Sequence, residues 1–277
     1  MLVYFHTLIG GNQYTADWVN NGNFTTEELR KIMKERITTI LTRYGDDVDY
    51  VDVVNEAITN SFPNGSTNWS NRKHQWMKLG WHNNDTTKWP LYIEEAFRIA
   101  RKAGGPNLKL IYNDNRTGMF ESAKTEGTFK LFKDFRNAGI PIDGIGMQFH
   151  CEVENGRLKE RGGASVIIDF DSFKRNMRRF GEEGIELHIT EFDVHLPENP
   201  TEADYDLQAE CYREVLRCCL EEPACKSFKS WGFTDKYGWR PLKFDPHALM
   251  FDKNYQPKKA YLEMRRMMEE KIRAAED

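Results

Sequence analysis

Two segments combine β-forming residues with carboxylates: "YVDVVNEA" (50–57) and "ELHITEFDV" (186–194). In the second, Leu187, Ile189, Phe192 and Val194 read as a buried strand, yet Glu191 and Asp193 sit inside it. In the first, Glu56 closes the run beside Asn55. A core strand rejects an unpaired carboxylate, because burying a polar group without a partner costs about 1–3 kcal/mol or more. Two glutamates near the C-terminal ends of different strands suit hydrolysis of a glycosidic bond. One carboxylic acid protonates the leaving oxygen and the other, ionised, attacks; carboxyls about 5–5.5 Å apart imply retention and wider spacing inversion. The same two places would also suit buried glutamates held in ion pairs.

The elements that must position these groups alternate along the chain. Runs rich in Val, Ile, Phe and Tyr predict strands at 2–9, 50–57, 108–114, 144–150, 186–194 and 225–233. Between them, helical periodicity predicts helices at 25–44, 90–103, 120–138, 170–181, 202–221 and 257–274. Thr25 with Glu28 fits a capping box at the first of these. Residues 59–89 read as a long surface loop after the Glu56 strand. With no linker in view, residues 1–277 read as one domain.

Such alternation means a parallel sheet, doubly wound or closed into a β/α barrel. "IGGN" (9–12) is not the glycine fingerprint of a dinucleotide fold. In a barrel, polar groups at strand ends converge on one mouth. Here those ends carry His6, Asn55, Glu56, Asn113, Asp114, Gln148, His150, Glu191, Asp193 and Trp231.

Bulk properties exclude several classes. Among 277 residues, 39 are basic and 43 acidic, a formal net charge of −4, which calls for neither nucleic acid nor an anionic membrane. "MLVYFHTLIGG" lacks a basic leader region, and its apolar run is too short to span a bilayer. Cys151, Cys211, Cys218, Cys219 and Cys225 show no paired zinc-type spacing and read as a buried free set. No metal cluster, phosphate loop or nucleotide motif calls for a cofactor.

"DVVNEA" (52–57), "YNDN" (112–115), "PIDGIGMQFH" (141–150), "LHITEFDV" (187–194) and "SWGFTDKYGWRP" (230–241) occur in an order and spacing that resembles family 10 of the glycoside hydrolases, the endo-β-1,4-xylanases. The resemblance extends through "PLKFDPHALMFDKNYQPKKAY" (241–261) and implies a (β/α)8 TIM-barrel fold acting on xylan or xylo-oligosaccharides. It implies Glu56 as acid/base and Glu191 as nucleophile, with His150 bonded to the nucleophile and Asp193 orienting the imidazole. Asn55 would bond the 2-hydroxyl of the −1 sugar, His6 would contact that sugar, and Gln148 would help position the acid/base region. Trp231 would wall the sugar and Trp239 would cap it from a loop, with Trp81 and Trp89 as further candidate contacts. A Cys219–Cys225 disulfide and a secreted, periplasmic or cell-surface parent protein are also implied.

The chain departs from the family at several places. "HTLIGGNQ" (6–13) stands where the family has "HTLVWHSQ", so Gly10 replaces a tryptophan and Gly11 a sugar-binding histidine. The resemblance begins at the family's third strand, which implies an incomplete barrel of about six β/α units. Two open sheet edges would then invite pairing, as in a homodimer or with a partner chain. Against a retaining xylanase of reduced activity stands a xylan-binding fragment that needs a partner or second copy to complete it.

Overall fold

The computed structural model describes residues 2–59, 74–161, 166–238 and 247–276. Its contacts form two compact units: Met1–Asp114 with Ser122–Gly146, and Asn115–Glu121 with Met147–Asp277. Trp69 and Trp239 lie outside the described residues.

In the first unit, β1 (Tyr4–Phe5) and β2 (Ile9–Gly10) are followed by a short helix, α1 (Asp17–Asn20), and a long one, α2 (Thr26–Tyr44). Then come β3 (Tyr50–Asn55), α3 (Leu91–Gly104), β4 (Lys109–Asp114), α4 (Ala123–Asn137) and β5 (Gly144–Met147). β1, β2 and β4 all pair parallel to β3, and β5 follows β4 in the strand order. The strand expected at 2–9 is thus broken in two. Leu8 N and Thr7 Oγ1 donate to the Asp52 carbonyl at 2.9 and 3.0 Å, and His6 Nδ1 meets the Asp52 carboxylate at 2.8 Å. Hydrogen bonds that would extend the ladder go to one residue of β3 instead.

The caps agree with the sequence. Thr25 and Glu28 form the capping box that starts α2, and Leu29, Met33, Ile37 and Leu41 are its buried stripe. Ser122 caps α4 by accepting from Thr125 N. α3 packs on β3 and on α2, and Phe135 of α4 meets Phe97 and Trp89 edge-on. Residues 74–89 hold two 3-10 turns, Gln75–Leu79 and His82–Asn84. Trp89 is buried there, stacked on His82 and donating to Glu94, so core packing accounts for it.

The second unit is built on β9 (Glu186–His195), with its ten residues almost wholly buried. β6 (His150–Glu154), β7 (Arg157–Glu160) and β8 (Val166–Ile167) precede it, followed by α5 (Phe170–Glu182); after it come α6 (Glu202–Glu221), β10 (Cys225–Ser230) and α7 (Lys259–Glu276). β10 and β6 flank β9, both parallel. β6, β7 and β8 form an antiparallel extension that the sequence reading lacked. Its two-residue turn is Asn155-Gly156, both at positive φ (52° and 68°). That is the primed hairpin turn whose twist matches the strands it joins, and Asn-Gly is its commonest sequence.

Alternation along β9 sorts its side chains. Phe192 packs against Tyr212 of α6, Phe228 of β10 and Phe149. The opposite face runs Leu187, Ile189, Glu191, Asp193, His195: apolar at its start and ionisable toward its end. Gly118 is required to be glycine, because a Cβ there would lie 2.3 Å from the Phe149 ring. Asn176 of α5 fixes that segment by donating to the Thr117 and Gly118 carbonyls, each at 2.8 Å.

The free-cysteine expectation is corrected for one pair. Cys219 at the end of α6 and Cys225 at the start of β10 form a disulfide, with Cα atoms 5.2 Å apart. Cys151, Cys211 and Cys218 are free and buried. Among the described residues no helix is long and apolar enough to cross a membrane.

Candidate active site

In the second unit, parallel registry sets His150 beside Asp193. His150 Nδ1 meets Asp193 Oδ1 at 2.8 Å, and its Nε2 meets Glu191 Oε2 at 3.2 Å. An imidazole bridging two carboxylates donates from both nitrogens only as an imidazolium. Burial opposes that charge, but Asp193 and then Glu191 outweigh it and raise His150 to about 10. Burial likewise opposes ionisation of Asp193, yet His150 and His195 hold its carboxyl well below the usual carboxylate range. Glu191 N donates to the Gln148 carbonyl at 3.2 Å, which ties the strand to the segment before β6. Trp231 stands edge-on to His150, with ring centroids 6.5 Å apart. The unit therefore assembles Gln148, His150, Glu191, Asp193 and Trp231.

In the first unit, Asn55 ends β3 and Glu56 follows it in a left-handed conformation, φ 54°. Glu56 N donates to the Asn113 carbonyl at 2.9 Å, and Asn113 Nδ2 donates to Asn55 Oδ1 at 3.0 Å. A non-glycine residue holds such a φ only where its surroundings fix it. Here the next two amides are pinned: Ala57 N and Ile58 N donate to the Tyr112 hydroxyl at 3.2 and 3.1 Å. That hydroxyl donates to Asp114, which is neutralised by buried Lys124 at 2.6 Å. The turn aims the Glu56 side chain to where Tyr14 donates to Oε1 at 3.1 Å. His6, besides its bond to Asp52, meets the Tyr14 ring edge-on at 6.0 Å.

Several of these groups were missed in the sequence. His195 pairs with the second oxygen of Asp193 at 3.1 Å and could have been read from the period-two continuation of Glu191 and Asp193. Asp52 is also legible by that period, two residues before Val54 in the same strand. Tyr14 lies 42 residues from its partner, and nothing local marks it.

Parallel strands alternating with helices, with ionisable groups at the strand ends in each unit, define an α/β protein. Comparison with known proteins sharpens that class. The model of glycosyl hydrolase family 10 matches residues 1–267. Endo-1,4-beta-xylanase B of Thermotoga neapolitana is 36% identical over 276 residues, covering 99% of this chain and 71% of its own. Xylanase 10B from Thermotoga petrophila RKU-1, solved in complex with xylobiose, superposes with a TM-score of 0.81 at 36% identity, over 98% of this chain and 75% of that one. Native xylanase 10B from Thermotoga maritima gives 0.82 at 36% identity, over 99% and 76%. The chain belongs to glycosyl hydrolase family 10 and is a glycoside hydrolase.

Proposed function

We propose that the protein is a retaining endo-β-1,4-xylanase, with Glu191 as nucleophile and Glu56 as acid/base. Glu191 attacks the anomeric carbon while Glu56 gives its proton to the departing glycosidic oxygen. Glu56, now ionised, then takes a proton from the water that hydrolyses the glycosyl ester. The observation that carries the reading is the His150 clamp, 3.2 Å from Glu191 and 2.8 Å from Asp193. A binding module has no use for a carboxylate set against an imidazolium with its own counter-ion. Asn55 is assigned to the sugar 2-hydroxyl, His6, Trp231 and Trp239 to sugar contacts, and Gln148 to support of the site. Xylan or a xylo-oligosaccharide is the substrate, in keeping with the xylobiose bound by the Thermotoga petrophila relative.

Gly11 stands where the family has a sugar-binding histidine and Gly10 where it has a tryptophan, so turnover is expected to be reduced, by on the order of 10²-fold or more. A Cβ on Gly11 would meet nothing within 4 Å, which leaves that place open. The Cys219–Cys225 disulfide supports an oxidising compartment, secreted or at the cell surface. β1 stands at one end of the described strand order, and beside it Leu2 and Val3 are 65% and 40% exposed. A homodimer through this edge is the expected assembly, and a clean monomer by light scattering at high concentration would count against it.

The deciding experiment is hydrolysis of xylohexaose and soluble arabinoxylan by the wild type beside Glu191→Ala and Glu56→Ala, with the anomeric form of the first product followed by NMR. Retained β-configuration, abolished by Glu191→Ala, is the expected result. A folded wild type that releases nothing would leave a xylan-binding fragment.

A further inference from the structure

Between β10 and α7 the chain carries exposed rings that the catalytic reading leaves unused. Phe233, Tyr237 and Tyr255 are 55%, 70% and 45% exposed. The Phe233 ring leans on half-buried Phe251, centroids 4.7 Å apart, and Phe251 meets Tyr261 at the same distance, 4.7 Å. Phe233 also stacks with Tyr255, at 6.3 Å and 28°. Exposed Lys236 turns its Nζ to two of the rings, 5.2 Å from the centroid of Tyr237 and 5.2 Å from that of Tyr255. The backbone beneath holds this group in place. Thr234 bridges Phe251, and Asp235 N donates to the Phe251 carbonyl at 2.9 Å. Buried Asp235 accepts from Leu249 N at 2.8 Å and pairs with Lys258 at 3.0 Å. Asp252 closes the second loop, its Oδ1 accepting from Asn254 N and Gln256 N at 2.8 Å each. Tyr255 sits inside that turn at φ 62°, which a bulky residue adopts only where its surroundings impose it.

A cluster of exposed rings marks a contact surface, and rings held rigidly lose little freedom on contact. The ammonium indicates what they contact. Protein interfaces favour tyrosine but deplete lysine at their centres, where a cation must shed its water. A sugar instead lays an apolar face on a ring and offers hydroxyls to phenols, and a uronic acid adds a carboxylate that complements Lys236. The group begins two residues beyond Trp231, in the same unit as Glu191. We propose that Phe233, Lys236, Tyr237 and Tyr255 form a carbohydrate-docking surface, separate from the residues assigned to catalysis, that takes a uronate-bearing stretch of a xylan chain. The rings face the sugar planes and the Lys236 ammonium meets the uronate carboxylate. This rests on the reading of xylan as the substrate and adds a preference among its decorations.

The test is affinity electrophoresis of the full chain carrying Glu191→Ala, so that the polymer stays intact, in gels of glucuronoxylan or of the same polymer with its carboxyls reduced to alcohols. Glucuronoxylan should bind more tightly by roughly two- to fivefold, the value of one exposed charge pair, and the difference should shrink as salt is raised. Lys236→Gln should abolish the difference and Lys236→Arg should keep it. Phe233→Ala with Tyr237→Ala should weaken binding to both polymers by about fivefold. With Glu191 restored, Lys236→Gln should leave hydrolysis of xylohexaose unchanged. Equal binding of the two polymers, a difference that survives Lys236→Gln, or full binding by the ring variant would each overturn the surface. So would a ring variant that changes only the oligomeric state by light scattering, since the rings would then join copies of the chain. If xylohexaose is hydrolysed and the binding pattern is absent, the surface falls and the function stands. If the wild type hydrolyses nothing but the pattern holds, the catalytic reading fails and the surface stands.

Discussion

Glu191 and Glu56 are both glutamates at the ends of parallel strands, but the chain holds them by different physics. Glu191 lies within a buried strand, in extended backbone, facing an imidazolium that Asp193 balances from behind. Glu56 sits one residue past its strand, half-exposed, at φ 54°, and a neutral phenol donates to its Oε1. On the proposed reading, a nucleophile that must stay charged is served by fixed charges around it. An acid/base that must give up a proton and take one back is served by a neutral donor, which biases it less than a cation would.

The contrast breaks most sharply on leaving-group ability. Glu191→Ala should abolish turnover of every substrate, a loss on the order of 10⁴-fold or more, because nothing else forms the ester. Glu56→Ala should cost about 10²–10⁴-fold on xylan, the usual value of general acid catalysis. On an aryl xylobioside, whose phenolate leaves without a proton, it should show a burst of phenol release followed by slow turnover. Stopped-flow with dinitrophenyl xylobioside separates the two; equal losses in both variants would end the distinction.

The support of Glu56 can be broken from behind. Lys124→Ala strands Asp114 in the core without its cation, and removing one partner of a buried pair costs about 3–5 kcal/mol. Denaturant unfolding checks this. Lys124→Arg should recover less than half, because a planar fork does not fit the place of a point charge.

The support of Glu191 should appear in the pH dependence of stability. The folded value of His150, about 10, lies above its ordinary 6.5, so its charge favours the folded state. That contribution is complete below pH 6.5 and is lost as pH rises through about 10. The depressed carboxyl of Asp193 acts oppositely: its contribution is present above the ordinary aspartate value and is lost as pH falls through the folded one. The melting temperature should therefore decline between pH 6.5 and 10 more steeply in the wild type than in His150→Gln. Parallel declines would remove the clamp from the account.

The smallest effect is expected at Gly11. A Cβ at Gly11 meets nothing within 4 Å, so Gly11→His, which puts back the family's residue, should raise kcat/KM a few-fold, seen in progress curves on xylohexaose.

How much of this was legible follows from the range of the forces. The caps of α2 and the period of β9 are written within a few residues of each other, so Thr25, Glu28, Glu191 and Asp193 announced themselves. The β6–β7 hairpin was equally local and was passed over, although Asn155-Gly156 between two short alternating runs is its signature. Tyr14 could not be read in this way, because its meaning depends on a partner across the sheet. The cysteines fall between these cases. Cys218 and Cys219 are rivals in sequence, but adjacent helical positions point about 100° apart, and only Cys219 meets Cys225.

Gly10 and Tyr14 claim one volume, and inheritance must respect that. A tryptophan reintroduced at position 10 collides with the phenol, and a small residue at 14 leaves a gap beside Glu56 until position 10 is refilled. The two positions are therefore coupled: a larger residue at 10 requires a smaller one at 14, and either change alone costs packing beside Glu56.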